Sequence, residues 1–210
     1  MNHAYQSNDF LRKLHERSTY SQAGQDLFVI DMLSNKNNGF YLEIGASHPF
    51  ESSNTFLLES CLNWNGISIE IDEATANTFN LFRKNKAINC DATNVDFITL
   101  FRENAVPKVL DYLSLDIEPA ENTFKALLSL PMNDYRFAVI TYEHDRYVSG
   151  DKFMNLSRDY LTMLGYTLVF PNVKFRGRDF EDWYIDSNLI ESPTWYGKNI
   201  FEKEYYEFFK

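Results

Sequence analysis

Acidic residues follow the short apolar runs of this chain in a repeated pattern. Five runs pass into Glu43-Ile44-Gly45-Ala46-Ser47-His48-Pro49, Glu70-Ile71-Asp72, Cys90-Asp91-Ala92, Asp116-Ile117-Glu118 and Glu143-His144-Asp145. If these runs are parallel strands, their ends lie along one sheet edge, where open α/β sheets bind ligands. Carboxylates gathered there can accept sugar hydroxyls, hold positive charge or take up a proton. Gly45 lets the backbone approach a ligand closely, and Glu70, ending the next run, can accept both hydroxyls of a ribose. That pair marks an adenosine-containing cofactor.

A dinucleotide would want G-x-G-x-x-G to set helix amides on its pyrophosphate, and this turn has one glycine and a proline. The phosphate cradle is missing. S-adenosylmethionine has ribose and adenine without phosphate, and its sulfonium and ammonium suit an acidic rim. Acidic residues after strands also serve as helix caps and solvated turns, so spacing alone leaves both readings open.

The elements must bring these ends together. A leading helix fits residues 1–19 and another fits Gln25 to Leu33, stopped by the polar run Ser34 to Gly39. Strands fit Phe40 to Ile44, Gly66 to Ile71, Ala87 to Cys90, Val109 to Leu115, Phe137 to Tyr142, Tyr166 to Phe170 and Trp183 to Ile185. Helices fit Ser53 to Leu62, Ala74 to Lys84, Ala120 to Leu128 and Lys152 to Leu164, and Lys174 to Arg178 reads as a basic loop. This alternation predicts an α/β fold with a mostly parallel sheet and helices on both faces. One domain, residues 1–210, is expected, with 1–19 as a helical extension and 20–210 as the core.

The chain of 210 residues has 20 Lys plus Arg against 30 Asp plus Glu, a formal charge of -10, which disfavours nucleic acid as partner. Its 44% hydrophobic and 16% aromatic residues suffice for a packed core. Two cysteines, Cys61 and Cys90, exclude a disulfide scaffold and read as core or near-core thiols. No run is long enough for a membrane span and the polar start is no signal peptide, so a cytoplasmic location is expected.

Several segments in order are similar to the successive motifs of the FkbM family of S-adenosylmethionine-dependent methyltransferases. They are Tyr20-Ser21-Gln22-Ala23-Gly24-Gln25-Asp26, Gly39 to Ala46, Ser53-Asn54-Thr55 with Leu58-Glu59, Trp64 to Ile67 with Ile69-Glu70, and Leu113 to Glu118. The resemblance covers about Tyr20 to Asp145, with Glu181-Asp182-Trp183-Tyr184 a weaker tail match. It implies a Rossmann-like class I methyltransferase fold with a seven-stranded sheet. It also implies O-methylation of a sugar hydroxyl in a polysaccharide, glycolipid or natural product. Two departures stand out: Glu43 replaces the usual Asp, and Pro119 replaces a glycine after Asp116-Ile117-Glu118.

On this reading Glu43 and Gly45 face the methionine part of the cofactor, Glu70 the ribose and Asp91 the adenine, with Ala46, Ile71, Ala92 and Asp116 also in contact with it. Asp91 reads equally as an Asx-turn cap. Asn54 caps the helix after the glycine turn and reaches the cofactor, and Gln22 closes over it; Gln22 and Gln25 also suit capping. Asp116, Glu118, Glu143, His144 and Asp145 are the candidates for chemistry, because a sugar hydroxyl is a weak nucleophile and gains from a base or a cation. Asp116 and Glu143 could hold Mg²⁺, or His144 could take the proton directly. His48 could face the same cleft. The acceptor is a carbohydrate or nucleotide-sugar, and a homo-oligomer is compatible with the sequence. Lys174, Arg176 and Arg178 are either solvated or in contact with a phosphorylated acceptor. A nicotinamide-dependent oxidoreductase or epimerase, and a non-catalytic cofactor-binding protein, are the rival readings.

Overall fold

Tyr41 and Leu42 are chain neighbours, both fully buried, and they belong to different cores. Successive strand side chains leave opposite faces, so a strand apolar at consecutive positions must be covered on both. A computed structural model shows that covering and describes residues 19–190. The expected leading helix, with His3 and His15, lies outside the described residues, as do Trp195 and the C-terminal aromatics.

The strands are β1 (Phe40–Ile44), β2 (Asn65–Glu70), β3 (Ala87–Asn89), β4 (Val109–Leu115), β5 (Arg136–Glu143), β6 (Tyr166–Phe175) and β7 (Arg178–Asp186). They form one seven-stranded sheet in the order β3-β2-β1-β4-β5-β7-β6. β1 to β5 run parallel, whereas β7 is antiparallel to both β5 and β6. The helices are α1 (Gln25–Met32), α2 (Phe56–Leu62), α3 (Glu73–Phe82), α4 (Phe97–Glu103), α5 (Ala120–Ser129), α6 (Arg146–Ser149) and α7 (Asp151–Met163).

Each sheet face carries helices. Leu42, Ile44, Leu113, Leu115 and Ile140 pack with Phe97 and Phe101 of α4, Leu127 of α5 and Leu161 of α7. On the other face Tyr41, Tyr112, Val139 and Trp183 pack with Phe28 and Val29 of α1 and Leu58 of α2. At about 1.5–3 kcal/mol for each large apolar side chain taken out of water, these two cores are the main support of the sheet.

From β1 the chain winds outward through β2 and β3, then returns to place β4 on the other side of β1. The strand order therefore reverses at β1 and β4, the place where such sheets open a crevice beyond their carboxyl ends.

Three local expectations change. The basic loop is a hairpin whose tip is only Arg176 and Gly177, both left-handed at φ 52° and 75°, with β6 continuing to Phe175 and β7 starting at Arg178. Two consecutive left-handed residues match the twist of a tight hairpin. Asn54 does not cap α2, whereas Ser53 Oγ does accept from Phe56 N, its first amide, at 3.2 Å; Thr55 is the N-cap residue and makes no side-chain bond. Cys61 is exposed rather than in or near the core, while Cys90 is half-buried and packs against the core as expected.

Candidate active site

Gly45 ends β1 at φ +96°, and a Cβ there would lie 1.8 Å from the Asp116 carbonyl oxygen. Only glycine tolerates both conditions. Gly45 N and Ala46 N both donate to Ile69 O, at 3.0 and 3.1 Å, and Asp116 N donates to Ile44 O at 2.9 Å. The ends of β1, β2 and β4 are thereby drawn together.

A cleft of about 450 Å³ opens above them. Its walls come from Gly45 and Ser47 after β1, Glu70 and Ile71 after β2, Asp91 to Thr93 after β3, and Asp116 to Glu118 after β4, with Gln22 across the mouth. Glu70 is oriented by backbone amides: Ser47 N donates to Oε2 and Asp72 N to Oε1, each at 2.9 Å. A carboxylate held this way keeps lone pairs for the two hydroxyls of a ribose. Ile71 is 69% exposed, an apolar side chain left open at the cleft wall. Asp91 lines the same wall but spends its oxygens locally. Oδ1 accepts from Thr93 N and Oγ1, and Oδ2 from Asn94 Nδ2, so it caps the short 3-10 turn Ala92–Asn94. The Thr93 hydrogen bonds hold its pKa below the ordinary value.

Behind the cleft wall Asp116 meets Glu143, because β4 and β5 are adjacent and in parallel register. Burial first, then the Asp116 charge and hydrogen bond, then Asp145, push the Glu143 pKa far up. Asp116 is also raised, by burial and by Asp145, with the Glu143 hydrogen bond working the other way. Both shifts favour the protonated form, Glu143 the more strongly, with the hydrogen bond between them running from Glu143 to Asp116.

The antiparallel register places Glu181 of β7 opposite Glu143. Glu181 is fully buried; its Oε2 accepts from Gln25 Nε2 at 2.9 Å and Trp183 Nε1 at 2.6 Å, and Oε1 has no partner. Burial, reinforced by Asp116, raises its pKa well above the usual carboxylate range. Glu181 and the Gln25 contact are absent from the sequence expectations; the Glu181-Asp182-Trp183-Tyr184 motif was the available signal.

Beside this cleft, a cavity of about 260 Å³ lies under the β6–β7 hairpin, lined by Gln22, Tyr147, Phe175, Arg176, Arg178 and Phe180. Gln22 lines both.

No family model matches the sequence, and no curated protein does. Solved structures do resemble the fold. One is an O-methyltransferase of Bacillus cereus in complex with SAH, with TM-score 0.54 and 15% identity, covering 85% of this chain and 89% of its own. A Clostridium thermocellum protein described as an rRNA methylase aligns with TM-score 0.55 and 11% identity over 80% of this chain and 97% of its own. Aeropyrum pernix fibrillarin with natively bound S-adenosyl-L-methionine aligns with TM-score 0.52 and 14% identity over 79% and 74%. This chain has the Rossmann-like methyltransferase fold. The reversed β7 is what separates that sheet from the all-parallel dinucleotide-binding one expected of an oxidoreductase.

Within this methyltransferase fold, seven of the residues singled out in the sequence, Gln22, Gly45, Glu70, Ile71, Asp91, Ala92 and Asp116, line the one cleft. Three others stand behind it. Glu43 is buried, its Oε1 accepting from Thr55 Oγ1 at 2.9 Å and Oε2 from Ser68 Oγ at 2.7 Å. Burial, opposed by Arg83, lifts its pKa to about 7. Ala46 packs with Ala76, Phe79 and Ala87. Asn54 is buried under the cleft floor, Nδ2 donating to Ser114 Oγ at 2.9 Å and Oδ1 unpartnered.

His144, expected as a base, is fully buried. Its Nδ1 accepts from Arg146 N at 3.2 Å, its Nε2 has no hydrogen-bond partner but lies 3.5 Å from Asp182 Oδ1, and the residue does not line the cleft. Asp182 is held at about 2, burial being outweighed by Arg158 and His144. His48 caps its own turn, Nδ1 accepting from Phe50 N and Glu51 N. As for Mg²⁺, Asp116 and Glu143 do meet, but among the described residues no group of three or more His, Cys, Asp or Glu is arranged to hold a metal ion.

Proposed function

We propose that this chain transfers a methyl group from S-adenosylmethionine to a hydroxyl of a carbohydrate acceptor, as its FkbM-like motifs imply. The observation that carries the reading is one cleft lined both by Glu70, fixed on two backbone amides, and by Asp116, with Glu143 behind it. The residues present fit this cofactor. Glu70 would hold its ribose, Ile71 and Ala92 would flank its adenine, and the acidic rim of Asp116 and Glu118 would face its cationic end. When bound, S-adenosylmethionine supplies a methyl group on a sulfonium leaving group.

The protein then has to position the hydroxyl in line and remove its proton. Asp116 lines the cleft, and its raised pKa brings it closer to working pH than an ordinary carboxylate. It accepts the hydroxyl proton as the oxygen takes the methyl group. Glu143 supports it by donating a hydrogen bond, and both stand where β4 and β5 hold them rigidly. A carboxylate base of this kind favours oxygen as the methyl acceptor.

Calorimetry with S-adenosylhomocysteine tests the first half, with binding in the micromolar range expected. Release of S-adenosylhomocysteine across a glycan and sugar-phosphate panel tests the second. Absence of binding would end the reading.

A further inference from the structure

Most arginines among the described residues have an acceptor. Arg83, Arg136, Arg146 and Arg158 pair with carboxylates, and Arg102 reaches the Thr99 hydroxyl. Arg176 and Arg178 have neither within the described residues. Each lies over an aromatic ring, Arg176 4.9 Å from the centre of Phe175 and Arg178 5.2 Å from that of Tyr147. Asp179, the acid beside them, is occupied by Arg146 at 3.0 Å and Lys174 at 3.9 Å. Stacking orients a guanidinium while leaving its N–H fork unused, which is the state suited to a bidentate phosphate.

The place of these arginines adds a second argument. They wall the hairpin cavity, in a chain whose net charge is -10. Gln22 lines that cavity and the main cleft. Tyr147 joins them from the other side: its ring sits under Arg178, and its hydroxyl feels Asp145, Glu143 and Glu118 after the larger effect of burial. Two compartments thus share the Gln22 wall, one acidic and one basic with aromatic walls.

Resting on the methyl-transfer reading above, we propose that the hairpin cavity binds the phosphate group of a phosphorylated carbohydrate acceptor. Arg176 and Arg178 hold the phosphate, Phe175 and Phe180 cover the ring beside it, and the reactive hydroxyl passes Gln22 and Tyr147 toward Asp116. The acceptor is a sugar phosphate or a nucleotide-linked sugar, which share this chemistry.

The test is equilibrium binding to the full chain saturated with S-adenosylhomocysteine. The probes are inorganic pyrophosphate, glucose 1-phosphate, uridine diphosphate glucose and uncharged methyl glucoside. Phosphate-bearing probes should bind at least about tenfold more tightly than methyl glucoside, and weaken with added salt. Arg176→Asn with Arg178→Gln, Asn being tolerant of the left-handed position, should abolish that preference and leave S-adenosylhomocysteine affinity unchanged. Tighter binding of either glucose probe identifies the source of the phosphate. The proposal is overturned if no phosphate-bearing probe binds, or if the double variant binds them unchanged. Loss of S-adenosylhomocysteine binding by the wild type would instead strike the methyl-transfer reading, and pyrophosphate titrated without it would still test the cavity.

Discussion

The Cβ position of Gly45 falls 1.8 Å from the Asp116 carbonyl oxygen, so the end of β1 rests directly on the end of β4. This contact sets the spacing between the cofactor turn and the carboxylate proposed to act as base. It also makes Gly45 a packing requirement, in addition to any close approach of a ligand. Gly45→Ala must push the strand ends apart and strain a left-handed φ. We expect a loss of at least about 2 kcal/mol in denaturant unfolding, with S-adenosylhomocysteine binding lost. Near wild-type stability and binding would show that the ends can separate freely.

Asp116→Asn should lower turnover by at least about 100-fold while keeping cofactor affinity within a few-fold, because it removes the base and preserves shape. Glu143 acts through Asp116. Glu143→Gln keeps a hydrogen-bond donor and should leave the acid limb of the pH–rate profile near its place. Glu143→Leu removes the bond that lowers the Asp116 pKa, and the limb should move to higher pH. A move to lower pH would mean that Glu143 is ionised in the working enzyme, the state that a bound cation would favour.

Glu70→Ala tests the ribose contact. The carboxylate lies at the cleft and organises two loop amides, so about tenfold weaker binding of S-adenosylhomocysteine is expected, with melting temperature little changed. Calorimetry and a thermal melt together separate this from general unfolding.

Glu43 gives a stability signature with a definite sign. Its folded pKa, about 7, exceeds the ordinary value of 4.5 because burial opposes the charged form. An acid raised in the folded state contributes stability below its unfolded value and loses it as pH rises through the folded one. The loss therefore falls between pH 4.5 and about 7, on the order of 3 kcal/mol by linkage. Glu43→Gln should flatten the melting profile across that window; an unchanged slope would assign it to other groups.

Arg83 is the cation of the same buried network. Its Nε lies 3.2 Å from Glu59 Oε1, and its Nη atoms donate to Pro49 O, Ser53 Oγ and Thr55 Oγ1 at 2.9 to 3.1 Å. Arg83→Met strands two buried carboxylates, and a loss of about 3–5 kcal/mol is expected in urea unfolding. A loss under about 1 kcal/mol would show that the carboxylates protonate at little cost.

By itself the sequence determined the parallel strands, their acidic ends and the glycine turn. These are local signals: the apolar runs Phe40 to Ile44 and Val109 to Leu115 and the chemistry of Gly45 and Glu70 need only their near neighbours to be read. What the tertiary structure decided depends on residues distant in the chain. β7 enters between β5 and β6 in reverse, bringing Glu181 opposite Glu143 and carrying Arg178 to Tyr147. Asp145, left-handed at φ 47°, follows His144, whose ring is buried against Asp182 of that same strand instead of lining the cleft. Asn54 and Glu43 gave way to the core for the same reason. Which face a polar side chain meets is set by the strand or helix packed over it, and no local period carries that information.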